Sequence, residues 1–414
     1  MRSGAAKHGA SEAEVPLIGL EDVREAGRRV SGVRRRTPVD RSETLSRIAG
    51  RPILLKPEHL QRTGSFKIRG AYNHISRLDA GRPVVAGSAG NHAQGVALAA
   101  SLTGHKATIF MPANAPLPKV EATRNYGADM VLEGDTVDDC IGLAKRFADE
   151  HGAAFVPPFD DPLIIAGQGT IGLELASEAP DAETVVVAIG GGGLISGIAA
   201  AMAELRPEVR VVGVEAAGAA AMEASLAAGR CVRLDRVDTL ADGIAVKSPS
   251  PLTMAHVRAY VDELVTVTDE EISQAVLLLL ERAKAVVEPA GAAALAAVLA
   301  GKVPGSGPVA AVLSGGNVDP LLLIKLIDHG LSAAGRYVAL RVVVDDRPGQ
   351  LAALTAEVAR LGLNVLSVEH HRSGMDLAVA KVEIRLTLET RNSVHRSEIV
   401  ADLERAGFHV EPTR

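Results

Sequence analysis

Tryptophan is absent from this 414-residue chain, and all aromatic side chains together make up 2% of it. Bases would find few rings to stack on, and the net charge of -6 comes with no basic run longer than Arg34-Arg35-Arg36, so nothing points to nucleic acid. Cysteine is scarce as well. Cys140 and Cys231 stand far apart and form neither a disulfide framework nor a metal or redox pair, which suits a reducing compartment. Residues 1–16 lack the apolar core of a signal peptide and read as a disordered tail. The one long uncharged run, Thr184 to Ala203, holds four consecutive glycines. Each would cost a helix about 1 kcal/mol, so strand, glycine loop and helix fit better than a membrane span. A cytoplasmic protein with no membrane partner is expected.

What the chain does have is core: 47% of residues are apolar and 23% charged, enough for a globular protein of two or three domains. From about residue 50 to 330, apolar runs alternate with helical patterns. Strands are expected in "PVVAGS", "KATIFMP", "DMVLEG", "TVVVAIG", "VRVVGVEA" and "PVAAVLSG". Continuous strands spaced by helices imply parallel βαβ units covered on both faces, with ligands held at the carboxyl ends of the strands. The pattern changes near Ala334-Gly335. The rest of the chain reads strand, helix, two strands, helix, strand, the ferredoxin-like α+β order.

Three small-residue loops follow strands. In "AIGGGGLISG" the glycines Gly190, Gly191, Gly192 and Gly193 would let backbone N–H groups approach an anion at a helix start. A dinucleotide pyrophosphate and a single phosphate compete for that loop, with Glu215 placed where a ribose-binding acid would stand. The G-x-G-x-x-G spacing fails, however, because Ser196 occupies the third glycine position. A dense tetraglycine suits a compact phosphate cup, and a tight turn with no ligand is the lesser alternative. In "SAGNHAQG" a helix opens at Asn91-His92 and could take a carboxylate, although for this loop taken alone simple capping by Ser88 or Asn91 is the favoured reading. "LSGGN" repeats the pattern at Ser314. Finally, "RTGSFKIRGA" sets Lys67 between Phe66 and Ile68, apolar neighbours that would help desolvate its amine and make it nucleophilic toward an aldehyde. A lysine, a phosphate cup and a polar residue for a ring nitrogen are what a pyridoxal phosphate site requires.

In "TGSFKIRGA", "SAGNHAQG", "GQGTIGLEL", "GGGGLISG", "DGIAVKSPSPLT", "VEPAGAAAL" and "LSGGN", residues 17–333 resemble the threonine dehydratases (threonine ammonia-lyases), pyridoxal phosphate enzymes of fold type II. The resemblance implies that Lys67 binds the cofactor as an imine beside Phe66. Asn91 would contact its phenolic oxygen, Gly190 to Gly193 with Leu194 its phosphate, and Ser314 its pyridine nitrogen. Ser88, Ala89, Gly90, Asn91 and His92 would hold the substrate carboxylate. The implied reaction has Lys67 remove the α-proton before the β-hydroxyl leaves and ammonia is released. A neutral hydroxyl at Ser314 does not enforce protonation of the ring, which suits elimination.

Serine racemases on the same fold carry a second serine where this chain has Ala89, which favours the dehydratase. Their acidic metal pattern is broken at Ala221, so no divalent metal site is expected beside Glu215. Residues 337–414, with "DDRPGQL" and "LNVLSV", resemble a single ACT domain. That implies a homodimer or homotetramer and a branched-chain amino-acid effector of isoleucine biosynthesis, held by Asp345, Gly349, Gln350, Leu351 and Asn364. A dinucleotide-dependent oxidoreductase and a non-catalytic amino-acid sensor are the readings from other classes. The first leaves Lys67 unexplained, and the second has no need of it.

Overall fold

The computed structural model describes residues 15–333, 335–372 and 378–413, so all but the last two residues of the expected tail lie outside the described residues. The chain divides into two compact units, Met1–Asp319 and Pro320–Arg414. The sequence puts the boundary at 334–336, whereas this division places the helix Pro320–Ala333 in the second unit.

The first unit holds two sheets. In the larger, the strands run in the order Asp40–Arg41, Ile53–Lys56, Val309–Val312, Thr184–Ala188, Arg210–Ala216 and Glu263–Val267. All neighbours are parallel except the first pair. Every residue of Thr184–Ala188 and Val309–Val312 is buried, as expected for apolar strands covered on both faces. These two strands are adjacent and parallel, so the glycine loop at Gly190 and the Ser314 loop leave the sheet side by side at its carboxyl edge. The smaller sheet is wholly parallel, in the order Asp129–Leu132, Ala107–Met111, Val84–Gly87, Ala154–Phe155, and Ser88 follows its third strand.

Two devices fix the helix Lys67–Ile75, whose first residue is the candidate nucleophile. One is close backbone packing. The helix Pro162–Glu178 crosses both Lys67–Ile75 and Gly193–Leu205 through glycines. A methyl group on Gly167 would stand 2.6 Å from the Cα of Gly70, and one on Gly169 would stand 2.7 Å from the carbonyl oxygen of Gly197. No other residue fits at either crossing.

The second device is a buried ion cluster around the fully buried Arg69. Its Nε and Nη2 donate to the two carboxylate oxygens of Glu58 at 2.8 and 2.7 Å. Its Nη1 and Nη2 donate to Glu174 at 2.7 and 3.0 Å, and Nη1 also donates to the Thr170 hydroxyl at 2.9 Å. Lys56 adds bonds to Glu174 at 2.6 Å and Glu178 at 3.1 Å, and Arg34 pairs with Glu174 as well.

The second unit is a four-stranded antiparallel sheet in the order Val365–His371, Lys381–Glu389, Tyr337–Asp345, His409–Thr413. The helices Gln350–Arg360 and Ser393–Arg405 complete the order read from the sequence. Val338, Leu340, Val342 and Val344 alternate along one strand and pack with Leu354, Val358, Ile399 and Leu403.

Arg69→Ala would leave the Glu58 and Glu174 carboxylates buried without their main partner, and breaking a buried pair costs about 3–5 kcal/mol. Urea unfolding of the cofactor-free chain followed by circular dichroism measures this. A loss below about 1 kcal/mol would show that the cluster contributes little to stability.

Candidate active site

Phe66 and Lys67, the loop from Ser88 to His92, the loop from Gly190 to Leu194 and Ser314 all line one cavity of about 620 Å³ in the first unit. Lys67 is half-buried in its wall and donates from Nζ to the carbonyl oxygen of Pro158 at 2.7 Å. Burial lowers its ammonium from the usual 10.5 to about 8, against the opposing pull of Glu288. Its Nζ also lies 5.2 Å from the centre of the Phe66 ring. A fraction of the amine is therefore neutral near physiological pH and able to attack a carbonyl.

The loops are stitched to one another. Phe66 N–H donates to the Ser314 carbonyl at 3.2 Å and Gly316 N–H to the Gly64 carbonyl at 2.9 Å, while Ser65 and Gly315 form an isolated bridge. Lysine and serine, far apart in sequence, thus share one short backbone junction.

Two helices point their N-termini at the cavity, and neither has a side-chain cap. Asn91–Thr103 begins after Gly90, and Gly193–Leu205 after Gly192, which sits at φ +91°, a conformation that favours glycine. By contrast, Ser42, Thr136, Asp161, Ser250 and Thr268 cap helices elsewhere in this unit. Free N–H groups at a helix start bind anions. The glycine loop is also closely hemmed in: a Cβ on Gly190 would lie 2.9 Å from the Cα of Ile244, and one on Gly193 2.9 Å from the Cβ of Phe159.

Asn91 does not cap its own helix. Its Nδ2 donates to Oε1 of Glu288 at 2.6 Å and its Oδ1 accepts from Asn317 Nδ2 at 2.7 Å. Ser88 Oγ accepts from the N–H of Gly90, the residue before the helix, at 3.2 Å and leaves the helix N–H groups uncapped. His92 Nε2 pairs with the carbonyl oxygen of Val156 at 2.9 Å, and burial followed by the charge of Lys67 lowers it to about 3. It is a neutral donor, with no part as an acid. Glu288, buried at the start of the helix Pro289–Leu299, is raised to about 7 by burial and then by Asp242, although Asn91, Lys119 and Lys67 pull it down.

Sequence reasoning assigned no role to Pro158, Phe159, Glu288 or Asn317, all of which line the cavity. Glu288 lies in a motif quoted for the resemblance and Asn317 ends another, so motif membership was the available signal. Glu215 lies elsewhere: its carboxylate accepts from the N–H groups of Met222 and Glu223 at 2.8 Å each, at the start of the helix Ala221–Ala228.

In the second unit, Asp345 ends a strand and binds Lys381 at 2.7 Å. Gly349 precedes the helix Gln350–Arg360 with no side-chain cap, and Leu351 is exposed. Asn364 directly precedes the strand Val365–His371 rather than lying on it, and donates to Glu389 at 2.9 Å.

These parts fit pyridoxal phosphate: an amine of lowered basicity for its aldehyde, uncapped helix starts for its phosphate, and an oriented amide and a neutral hydroxyl for its ring substituents. Comparison with known proteins agrees. Residues 30–315 match the family model "Pyridoxal-phosphate dependent enzyme" and residues 338–408 match "ACT domain". An L-threonine ammonia-lyase of Thermotoga maritima is 50% identical over 398 residues, spanning 95% of this chain and 99% of that one. Among solved structures, a T.th. threonine deaminase is 43% identical, covers 73% of this chain and 99% of its own, and has a TM-score of 0.70. Maize serine racemase is 37% identical, covers 77% and 99%, and has a TM-score of 0.72. The chain therefore belongs to the pyridoxal-phosphate dependent enzyme family, fold type II, with an ACT domain following the catalytic part.

Proposed function

We propose that the chain is a threonine ammonia-lyase that converts L-threonine to 2-oxobutanoate and ammonia, and L-serine more slowly to pyruvate. The observation that carries this reading is the convergence of Lys67, Asn91, the four glycines and Ser314 on one cavity. Its extent is supported by similarity to an L-threonine ammonia-lyase along nearly the whole of both chains. Pyridoxal phosphate, when bound, supplies the aldehyde and the electron-withdrawing ring that make the substrate α-proton acidic.

The protein residues divide the remaining work. Lys67 Nζ would hold the cofactor through its aldehyde, and as a free amine it would take the substrate α-proton. The start of the helix Gly193–Leu205 holds the phosphate, and the start of Asn91–Thr103 holds the substrate carboxylate through backbone N–H groups. Ser314 would offer the cofactor's ring nitrogen a neutral hydroxyl, which would not enforce a proton there and so would suit elimination. A serine racemase is the second reading, favoured by the maize structure. Ala89 argues against it, because this cavity residue offers no hydroxyl to exchange a proton on the opposite face.

In the second unit, the uncapped helix start at Gly349 to Leu351, with Asp345 and Asn364 close in sequence, is the site we assign to an amino-acid effector, isoleucine or valine. The edge strand Val365–His371 exposes Val365, Leu366 and Val368. An exposed apolar edge is a liability unless paired, which supports a homodimer or homotetramer. The cytoplasm is the compartment that suits the sparse cysteines.

The wild-type protein is expected to purify yellow, and Lys67→Ala to lose turnover by several orders of magnitude. Cofactor uptake by the stripped protein should quicken as pH rises, with a midpoint near about 8 rather than 10.5, because only the neutral amine attacks. Stopped-flow absorbance checks this, and a rate flat from acid to alkaline pH would remove Lys67 from the step.

Threonine should exceed serine in kcat/KM. One apolar methyl is worth about tenfold or more, so an equal preference for serine in parallel assays would reassign the substrate.

Calorimetry on the whole chain is expected to show isoleucine or valine binding, with an effect on threonine affinity that is reciprocal. Absence of heat and unchanged kinetics would reduce the ACT domain to an assembly element.

A further inference from the structure

Asn91 belongs to a chain of hydrogen bonds whose direction is set from one end. Asn317 Nδ2 donates to the carbonyl oxygen of Thr63 at 2.6 Å and to Oδ1 of Asn91 at 2.7 Å. Asn91 Nδ2 in turn donates to Glu288 at 2.6 Å. A backbone carbonyl can only accept, so the Asn317 atom facing Thr63 is the amide nitrogen. That nitrogen also faces Asn91 and can only donate, which obliges Asn91 to turn its oxygen toward Asn317 and its nitrogen toward Glu288. One N–H of Asn91 is then used on Glu288, and the amide nitrogen of this cavity-lining residue has a second N–H to give.

The fixed end is built at some cost to the backbone. Thr63 holds φ at +62°, a left-handed conformation that a β-branched residue rarely adopts, and Gly64 follows at +69°. A methyl on Gly64 would stand 2.9 Å from Cγ of Asn317, so the glycine also makes room for that side chain. The Gly64 carbonyl accepts from Gly316 N–H at 2.9 Å, which ties the turn to the loop carrying Asn317. A strained turn and a cross-loop bond thus converge on one oriented side chain.

We infer that Thr63 and Asn317 are positioning residues that make Asn91 a one-way hydrogen-bond donor toward the cavity. The ligand atom that matches such a donor is an oxygen that only accepts, and the phenolate oxygen of pyridoxal phosphate is of that kind. Donation favours its ionised form, so the orientation of Asn91 governs the protonation of the bound cofactor. This rests on the cofactor site assigned above.

The test compares Asn317→Asp with Glu288→Gln. An ionised aspartate cannot donate to Thr63 or to Asn91, and it accepts where Asn317 donated, so Asn91 is free to turn round. Glutamine at 288 still offers a carbonyl oxygen, so the direction imposed from Thr63 persists. The visible absorption band of each holoenzyme is titrated against pH, and cofactor dissociation is measured by equilibrium dialysis. Asn317→Asp is expected to move the band and its pH midpoint and to weaken retention about tenfold, the equivalent of one net hydrogen bond. Glu288→Gln is expected to shift both less. Should Asn317→Asp fail to fold by circular dichroism, Asn317→Ala removes the donor without a buried charge and is expected to shift in the same direction.

Melting of the cofactor-free proteins separates the roles: a purely structural Asn317 lowers the melting temperature and leaves the band unmoved, which would overturn the inference. A larger shift from Glu288→Gln than from Asn317→Asp would overturn it too. A wild-type chain that takes up no pyridoxal phosphate would sink the site and this inference together, whereas a yellow wild type with indifferent Asn317 variants sinks the inference alone.

Discussion

The guanidinium of Arg69 has five N–H groups, and its bonds to Glu58, Glu174 and Thr170 engage every nitrogen that carries them. A charge buried this deeply has few arrangements open to it, because each displacement leaves an ion without a partner in a medium that solvates it poorly. Arg69 lies two residues beyond Lys67, on the same helix. Its partners come from the turn Glu58–Leu60 and the helix Pro162–Glu178, and Lys56 brings in the sheet. Whatever holds Arg69 in place therefore holds the amine. Four cations, Arg34, Arg36, Lys56 and Arg69, face three carboxylates, Glu58, Glu174 and Glu178, with Arg36 at the exposed rim of the cluster.

Around Lys67 itself little charge is settled, although Lys119 with Asp242 and Arg233 with Asp138 also line the cavity as ion pairs. Burial pushes the Lys67 ammonium down toward neutrality and the Glu288 carboxyl up toward it. His92 is held neutral. Attraction for anions comes instead from two helix starts left without side-chain caps, whose N–H groups keep their direction whatever the pH. Two helix starts can receive a phosphate and a carboxylate together, while the other lysines of the cavity wall are Lys119, paired with Asp242, and Lys247.

Much of this was legible in the sequence. The six strands expected in the first unit are present, because short apolar runs spaced by helical patterns have few other uses. Asp40–Arg41 and Ala154–Phe155 escaped notice as two-residue strands, and Ile53–Lys56 because its lysine and flanking prolines look like loop. Glu263–Val267 has only one fully buried residue and no glycine to end it. The loops that line the cavity carry their own marks, small residues after strands. Glu288 is marked only by its place in "VEPAGAAAL", because an acid before a proline at a helix start otherwise reads as ordinary first-turn chemistry. Arg69, Glu58 and Glu174 have the spacing of solvated surface charges, and only the packed structure shows them buried. Pro158 contributes a backbone oxygen, which no side-chain pattern can announce.

The helix crossings of Gly167 on Gly70 and of Gly169 on Gly197 bring main chain against main chain, with the Gln168 and Val23 side chains packed at their margins. The span from the amine-bearing helix to the anion-binding helix is therefore measured in covalent geometry rather than in rotamers. Side chains repack with temperature, with sequence drift and with solvent, but a backbone-to-backbone contact has no slack to give. The distance a rigid planar cofactor must bridge, aldehyde at one end and phosphate at the other, is thus set by the part of the protein least able to change as the rest of the chain evolves.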